Sequence, residues 1–253
     1  MIRDRRIHSN GRETERKRAT ALYDRRMRHR NIAAARAAAD EERRSTREHL
    51  LEIAGQVFAE KGFDAATGKE ICKRAGANAA AVVYHFGGMD ALYATVLVEA
   101  RNRLVSTEMI AAVVASERDP KAKLAALMRL LVGKLAGTAA QSWAARVIAR
   151  ELISPSTATT DLVEKEMQGR ATLMKSLVSE LTGLPPGHPA VARGAISIIG
   201  PCLLLLIANR RRLERAFSAL DLRPDSVEDL ADHMTRFALA GLTAIAREAK
   251  RAD

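Results

Sequence analysis

Residues Thr67 to Phe86 read TGKEICKRAGANAAAVVYHF, and the fold turns on this stretch. Thr67 is suited to N-cap a short helix, and Glu70, three residues on, completes a capping box. Ile71 and Ala75 give that helix a small apolar stripe at helical spacing. Gly76 ends it, because glycine enters the left-handed conformation beyond a helix without steric cost. Asn78 is a good N-cap for a second helix over Ala79 to His85, with Val82 and Phe86, four apart, on its buried face. Two short helices joined by a tight glycine turn form the pattern of a helix-turn-helix. An ordinary hairpin inside a helical core has the same local pattern, so the flanking sequence has to separate the two.

Upstream, Ser45 and Glu48 form a second capping box. Leu50, Ala54, Val57 and Phe58 recur at i, i+4, i+7 and i+8, which predicts a helix from Ser45 to Gly62 with Phe63 as a core anchor behind it. Downstream, Gly87 and Gly88 break the chain, and a long helix starts near Met89 with Leu92, Val96, Ala100 and Leu104 inward. From residue 105 the pattern stays helical with short loops. Asp119-Pro120 opens a helix to about Ala136, with Leu124, Leu127, Leu130 and Leu131 inward. Gln141 to Ile153 follows and stops at Ser154-Pro155. Thr160 to Thr182 carries Leu162, Met167, Leu173, Leu177 and Leu181. After the Gly183–Gly187 loop, Pro189 to about Arg212 is apolar nearly all round at its centre. A last helix runs from behind Pro224-Asp225 to near Arg251. Strand-type alternation is nearly absent, and the class is all-α.

Charge is unevenly spread. Residues 1–44 hold 14 Lys and Arg against 7 Asp and Glu, so most of the net +11 of the 253-residue chain sits there. This basic extension has few large apolar residues and is expected to be disordered. Ala33 to Arg44 has high helix propensity, but an isolated helix of that length is marginal in water. Met27 is an alternative start. The balance favours a polyanionic partner. Two cysteines, Cys72 and Cys202, far apart and without a Cys-x-x-Cys, argue for a reducing, cytoplasmic setting. No apolar leader follows the N-terminal charges. The longest apolar run, Ala195 to Ala208, contains Pro201 and is too short for a membrane span, so no membrane partner is expected. The six histidines, His8, His29, His49, His85, His188 and His233, show no metal-ligand spacing. There is no G-x-S-x-G, phosphate loop or G-x-G-x-x-G. The sequence therefore points to no catalytic residue, no metal, no cofactor and no enzyme.

The segments F-A-E-K-G-F, T-x-x-x-I, R-A-G-A-N and V-Y-H-F-G-G-M-D-A-L-Y, within residues 45–100, resemble the TetR/AcrR family of bacterial transcriptional regulators. V-I-A-R-E-L-I-S-P-S at 147–156 and the long helix behind it resemble the CecR-type C-terminal domain. The resemblance implies a three-helix DNA-binding domain over 45–104, with its motif at 67–86, and a helical effector-binding and dimerisation domain over 105–253. It implies double-stranded DNA, a small-molecule effector and a second copy of the chain as partners, with repression of an inverted-repeat operator as the activity. By position, Thr67, Tyr84 and His85 match the family's phosphate contacts, and Lys69 joins them. Asn78, Ala79, Ala80 and Ala81 match the positions facing the major groove. The family often has a lysine and a threonine where this chain has Ala79 and Ala81, and a lysine where it has Met89. Base readout then rests on few polar groups, although alanine can still touch a thymine methyl. A non-specific architectural DNA-binding protein, or a helical adaptor or enzyme that lost DNA binding, is the alternative.

For the two further sites that the resemblance implies, periodicity supplies candidate residues. A helix apolar on all sides is buried on more than one, so Ile199, Leu203, Leu204 and Leu206 are expected in a dimer interface. Met234, Phe237, Gly241 and Ile245 of the last helix join them. On the helix ending at Ile153, Trp143, Arg146, Val147 and Arg150 share one face, joining the chain's single tryptophan to two cations. With Met128, Met167 and Met174 as adaptable apolar walls, they are the candidate effector site, while Ala145, Ile148 and Leu152 mark a core face; packing of Trp143 on arginine stems, with Arg150 and Glu151 in ordinary ion pairs, is the alternative.

Overall fold

The computed structural model describes residues 36, 38–136, 142–156, 161–208, 210–223 and 226–252. Most of the basic extension lies outside these residues, as do Gln141, Thr160, Pro224 and Asp225 and the side chain of Leu162. The chain divides into two units, Met1–His49 and Leu50–Asp253.

In the first unit residues 38–49 are helical, so Ser45 lies inside a helix and does not cap one. The preceding AAADEERR run has strong enough helix propensity to carry the helix back past the serine. Thr46 Oγ1 bonds back to the Glu42 carbonyl at 2.9 Å, as a mid-helix hydroxyl does.

The described residues of the second unit form helices joined by turns, with no strand among them. Its elements are α1 (50–61), α2 (Gly68–Arg74), α3 (Ala81–Phe86), α4 (Met89–Val105), α5 (Thr107–Ser116), α6 (Pro120–Ala136), α7 (Trp143–Ile153), α8 (Asp161–Thr182), α9 (Pro189–Ile207), α10 (Arg210–Ala216) and α11 (Val227–Ala252). Leu50, Ala54, Val57 and Phe58 of α1 are fully buried with Ile71, Leu92, Val96 and Ala100. Phe58, Phe63 and Tyr93 pack as a triad, with Tyr93 4.8 Å from Phe58 edge-on and 4.9 Å from Phe63. These rings join α1, the turn behind it and α4.

α4 is shared by two bodies of helices. Its N-terminal half carries α3, and the same helix packs against α6, α7 and α8. α6 lies along α11 and α8 along α9. Among the described residues α9 is the one helix long and apolar enough to cross a membrane, with mean hydropathy 2.1. It packs against α6, α7, α8 and α11. It ends at Ile207, short of the expected Arg212, because Ala208 turns extended (φ −75°, ψ 144°). The arginines beyond it belong to the separate α10.

Candidate DNA-binding and effector sites

The turn between α2 and α3 is built as the sequence suggests, with two differences. Thr67 Oγ1 accepts the Glu70 N–H at 3.3 Å. The reciprocal half of the capping box is missing: the Glu70 carboxylate instead takes Lys61 Nζ at 2.7 Å and Arg74 Nη2 at 2.8 Å. A lysine ammonium and a guanidinium outcompete a backbone amide for a carboxylate. α2 closes in a Schellman motif, in which Ala77 N–H reaches the Cys72 carbonyl at 2.9 Å and Gly76 N–H the Lys73 carbonyl at 3.2 Å. Gly76 has φ +62°, which any other residue would hold only under strain.

The second difference is the start of α3. Asn78 does not cap a helix beginning at Ala79. Its Oδ1 accepts the Ala80 N–H at 3.0 Å and its carbonyl accepts the Ala81 N–H at 2.9 Å. This Asx turn delays α3 to Ala81, with Ala80 as an N-cap that makes no side-chain bond. The delay rotates the outward face. Ala81 is buried beside Val82, so it cannot face a groove, whereas Asn78, Ala79 and Ala80 are exposed. Val83, absent from the sequence-based set, stands 64% exposed next to Tyr84 at 66%. Its signal was available: Val82 and Phe86 define the buried side, and Val83 lies about a third of a turn away from Val82. Thr67 and Lys69 are exposed, and His85 is half-buried with its ring edge-on to Tyr84 at 4.8 Å. The outward surface is thus small and apolar at its centre, with polar groups at its ends.

Replacing Val83 or Asn78 by alanine is expected to change which DNA sequence is preferred, by about 1–3 kcal/mol per altered base contact. Tyr84→Ala is expected to weaken all sequences alike. Binding titrations on a preferred site and on unrelated DNA separate the two behaviours.

The second site is a cavity of about 320 Å³ among α4, α5, α6, α7, α8 and α9. Its wall is mostly apolar, including Leu104, Ile110, Leu127, Ile148, Met174 and Leu203, and three charged residues line it: Arg101, Glu151 and Arg170. Of the residues expected to line an effector site, Met167 and Met174 line this cavity. Trp143, Arg146, Val147, Arg150 and Met128 do not. α7 presents its other face to the cavity, with Ile148, Glu151 and Leu152 on the wall.

The reason is that Trp143 docks α7 onto α1 and α4. Its Nε1 donates to Glu52 Oε1 at 2.7 Å, and Arg103 lies over its ring at 4.8 Å. The ring also fills the space left by Gly55, where a Cβ would stand 2.5 Å from Trp143 Cε3. Arg150 Nη2 donates to the Glu60 carbonyl at 3.4 Å, a cation at the C-terminal end of α1 where the helix dipole favours one. Arg146 is exposed and Val147 is buried. Met128 is buried against a groove that α9 and α11 share, lined also by Pro201, Met234 and Phe237.

At the polar end of the cavity, burial lowers the pKa of Arg101 and of Arg170, with neighbouring carboxylates opposing the shift. The Glu151 carboxylate accepts the Tyr93 hydroxyl at 2.8 Å, and burial followed by that bond pushes the phenol well above its ordinary range. Arg170 Nη2 donates to Asn102 Oδ1 at 3.2 Å and its Nε to Thr107 Oγ1 at 3.3 Å. Cys202 faces the cavity with its thiol pushed up to about 11 by burial. Among the described residues no group of three or more His, Cys, Asp or Glu is placed to hold a metal ion.

Of the residues assigned to a dimer face, Ile199, Leu203 and Leu206 line the cavity instead, because α9 turns that side toward α4 to α8. Leu204, Phe237 and Gly241 are exposed and Met234 and Ile245 half-buried. Ile196 joins Leu204 on the outward face of α9, at 70% and 49% exposed.

A helix-turn-helix joined through one long helix to an all-helical body with an internal cavity defines a DNA-binding regulator of transcription. The family model described as bacterial regulatory proteins of the tetR family matches residues 50–96. The model described as the C-terminal domain of the HTH-type transcriptional dual regulator CecR matches residues 120–242. The chain belongs to the TetR family, with a C-terminal domain of the CecR type. No curated protein matches the sequence. Among solved structures, the fatty acid degradation regulator FadR from Bacillus halodurans is 20% identical, with a TM-score of 0.56 over 77% of this chain and 98% of that one. FadR from Bacillus subtilis in complex with stearoyl-CoA is 16% identical, with a TM-score of 0.55 and the same two coverages. AibR in complex with isovaleryl coenzyme A and operator DNA is 16% identical, with a TM-score of 0.55 over 75% of this chain and 96% of that one. At these identities the likeness is one of fold.

Proposed function

We propose that this chain is a cytoplasmic repressor that binds an inverted-repeat operator as a homodimer and is released when a small apolar effector fills the cavity. The observation that carries this reading is the cavity's position. Its wall includes Arg101, Leu104 and Val105 of α4, the helix that also carries α3. A ligand that prefers one placement of α4 therefore biases the DNA-binding head, and only such differential affinity can shift the equilibrium. That the similar FadR and AibR structures hold coenzyme A thioesters supports an aliphatic acyl group as the apolar part of the effector.

Dimerisation is supported by exposed apolar side chains on two adjacent helices. Ile196 and Leu204 on α9 and Phe237 on α11 are exposed on two helices that pack together, and exposed apolar side chains of this kind mark an interaction surface. Pairing about a two-fold axis makes an isologous four-helix contact. It also sets two copies of α3 about one helical turn of DNA apart, roughly 34–36 Å. Footprinting is expected to show two protected half-sites in inverted repeat, and an acyl ligand is expected to abolish both together. A single undivided half-site, or protection unchanged by every cavity ligand, counts against the reading. The small apolar outward surface at Ala79, Ala80 and Val83 favours a second reading, a DNA binder with little sequence preference. In that case unrelated DNA competes as well as the operator, whereas a specific regulator prefers its site by about 10³-fold or more.

A further inference from the structure

We propose that the polar end of the cavity is an anion subsite, in which Arg101 receives the carboxylate of a free aliphatic acid whose tail lies along the apolar wall. This rests on the cavity being the effector site and adds the chemical class of the head group.

The three charged side chains there are not equivalent. Glu151 is fully engaged: Oε2 accepts the Tyr93 hydroxyl at 2.8 Å, while Oε1 accepts Ser156 N–H at 3.1 Å and Ser156 Oγ–H at 3.2 Å. Arg170 is held by Thr107 and Asn102, with Glu166 at 3.8 Å. Arg101 differs. Its Nη1 is buried and has no hydrogen-bond partner among the described residues. No carboxylate oxygen of a described residue forms an ion pair with it, although Glu151 and Glu166 act on it at longer range. A buried guanidinium N–H without an acceptor destabilises the empty protein, and a ligand oxygen placed there removes that penalty. The acceptor that matches best is anionic, since a charge-assisted bond to a carboxylate is stronger than one to a neutral oxygen. Because Glu151 already has its donors, it does not need to swing toward Arg101 to be satisfied.

The rest of the wall sets the remainder of the ligand. Leu104, Ile110, Leu127, Leu131, Met174 and Leu206 offer no hydrogen-bond donor and no acceptor stronger than a thioether, so the body of the molecule is hydrocarbon. An alcohol of the same length presents no charge. A coenzyme A thioester presents a neutral carbonyl where the acid has its carboxylate, and it carries a bulky polyanion that the apolar wall cannot solvate.

The test is calorimetric titration of the full-length protein with decanoate, decanol and decanoyl-coenzyme A. Decanoate is expected to bind at least tenfold more tightly than either of the others. Arg101→Gln is expected to weaken decanoate tenfold or more and to leave decanol unchanged, while Arg101→Lys, which keeps the charge, recovers part of the affinity. Without ligand, Arg101→Gln is expected to melt no lower than the parent protein, because the buried N–H without an acceptor is gone; this excludes misfolding as the cause of lost binding. Decanol or the thioester binding as tightly as the acid, or Arg101→Gln binding the acid undiminished, would overturn the anion subsite and leave the effector cavity standing. Failure of all three ligands to bind a folded protein would overturn both.

Discussion

Trp143→Ala should lower the melting temperature by on the order of 10 °C. Removing a buried tryptophan costs about 3–5 kcal/mol, and each kcal/mol moves a domain of this size by about 2–4 °C. The ring is only 7% exposed and fits against Gly55 with no room for a methyl group between them. Gly55→Ala is therefore also destabilising, by about 1–3 kcal/mol through overpacking. Combined with Trp143→Ala it should cost much less than the sum, because the smaller side chain vacates the space the new methyl needs. Trp143→Phe keeps most of the apolar volume and loses the bond to Glu52, an effect of about 1 kcal/mol at this partly exposed carboxylate. It also changes the acid limb of the stability curve. Burial acts to raise the Glu52 pKa, but the hydrogen bonds from Arg103 and Trp143 outweigh it and hold the carboxyl below its ordinary value. A carboxyl lowered in the folded state adds stability above its unfolded pKa and loses it as the pH falls through the folded one. Thermal melts from neutral to acidic pH should show this loss flattened in Trp143→Phe. A variant as stable as the parent across that range would remove Trp143 as the clamp between α7 and α1.

If the chain pairs as proposed, Phe237→Glu combined with Leu204→Glu should convert that dimer to monomers and reduce operator affinity on the order of a hundredfold or more, since two linked recognition helices bind far better than one. Both side chains face outward, Phe237 at 75% exposed, so glutamate there meets solvent in the single chain and disturbs no core. In a two-fold interface each substitution places like charges near their own copies. Sedimentation velocity gives the oligomeric state, and circular dichroism checks that the helices persist. An unchanged dimer with both substitutions in place would put the contact on another face. Ile199→Glu is the informative control, because that residue lines the cavity and its effect should be on stability and ligand binding.

Local signals were legible in the sequence, and facing was not. Thr67 and Gly76 mark the limits of α2 because caps and left-handed glycines act within a few residues. Pro120 and Ala136 bound α6 as read, and Leu92, Val96, Ala100 and Leu104 are the buried stripe of α4. Ser45 misleads because a cap is local whereas propensity sums along the whole preceding run. α7 shows the deeper difficulty. Its periodicity separates Trp143 and Val147 from Ile148 and Leu152, but a helix lodged between neighbours is apolar on both sides. Only the packing of Trp143 against Gly55 shows which side is docking and which is cavity. The same holds for Ile199 and Leu204 on α9, one turned to the cavity and the other to solvent. Arg101 had a faint signal: Leu104 and Val105 follow at i+3 and i+4, which turns a cation toward an apolar surface. Distinguishing it from an arginine whose stem covers that surface takes the burial of Nη1.

The place of the single tryptophan settles what its light can report. Trp143 lies outside the cavity, in the seam between α7 and the α1–α4 pair, with a carboxylate on its indole nitrogen and a guanidinium over its ring. A molecule bound beside Met174 and Leu206 does not touch the indole. Emission excited in this residue is therefore blind to occupancy as such. It responds to movement of the seam, where a shifted Glu52 or Arg103 alters the field across the ring. A ligand found by calorimetry that leaves the spectrum unchanged occupies the cavity without moving the helix that carries the DNA-binding head. One that shifts the spectrum has moved the seam that α7 makes with α1 and α4.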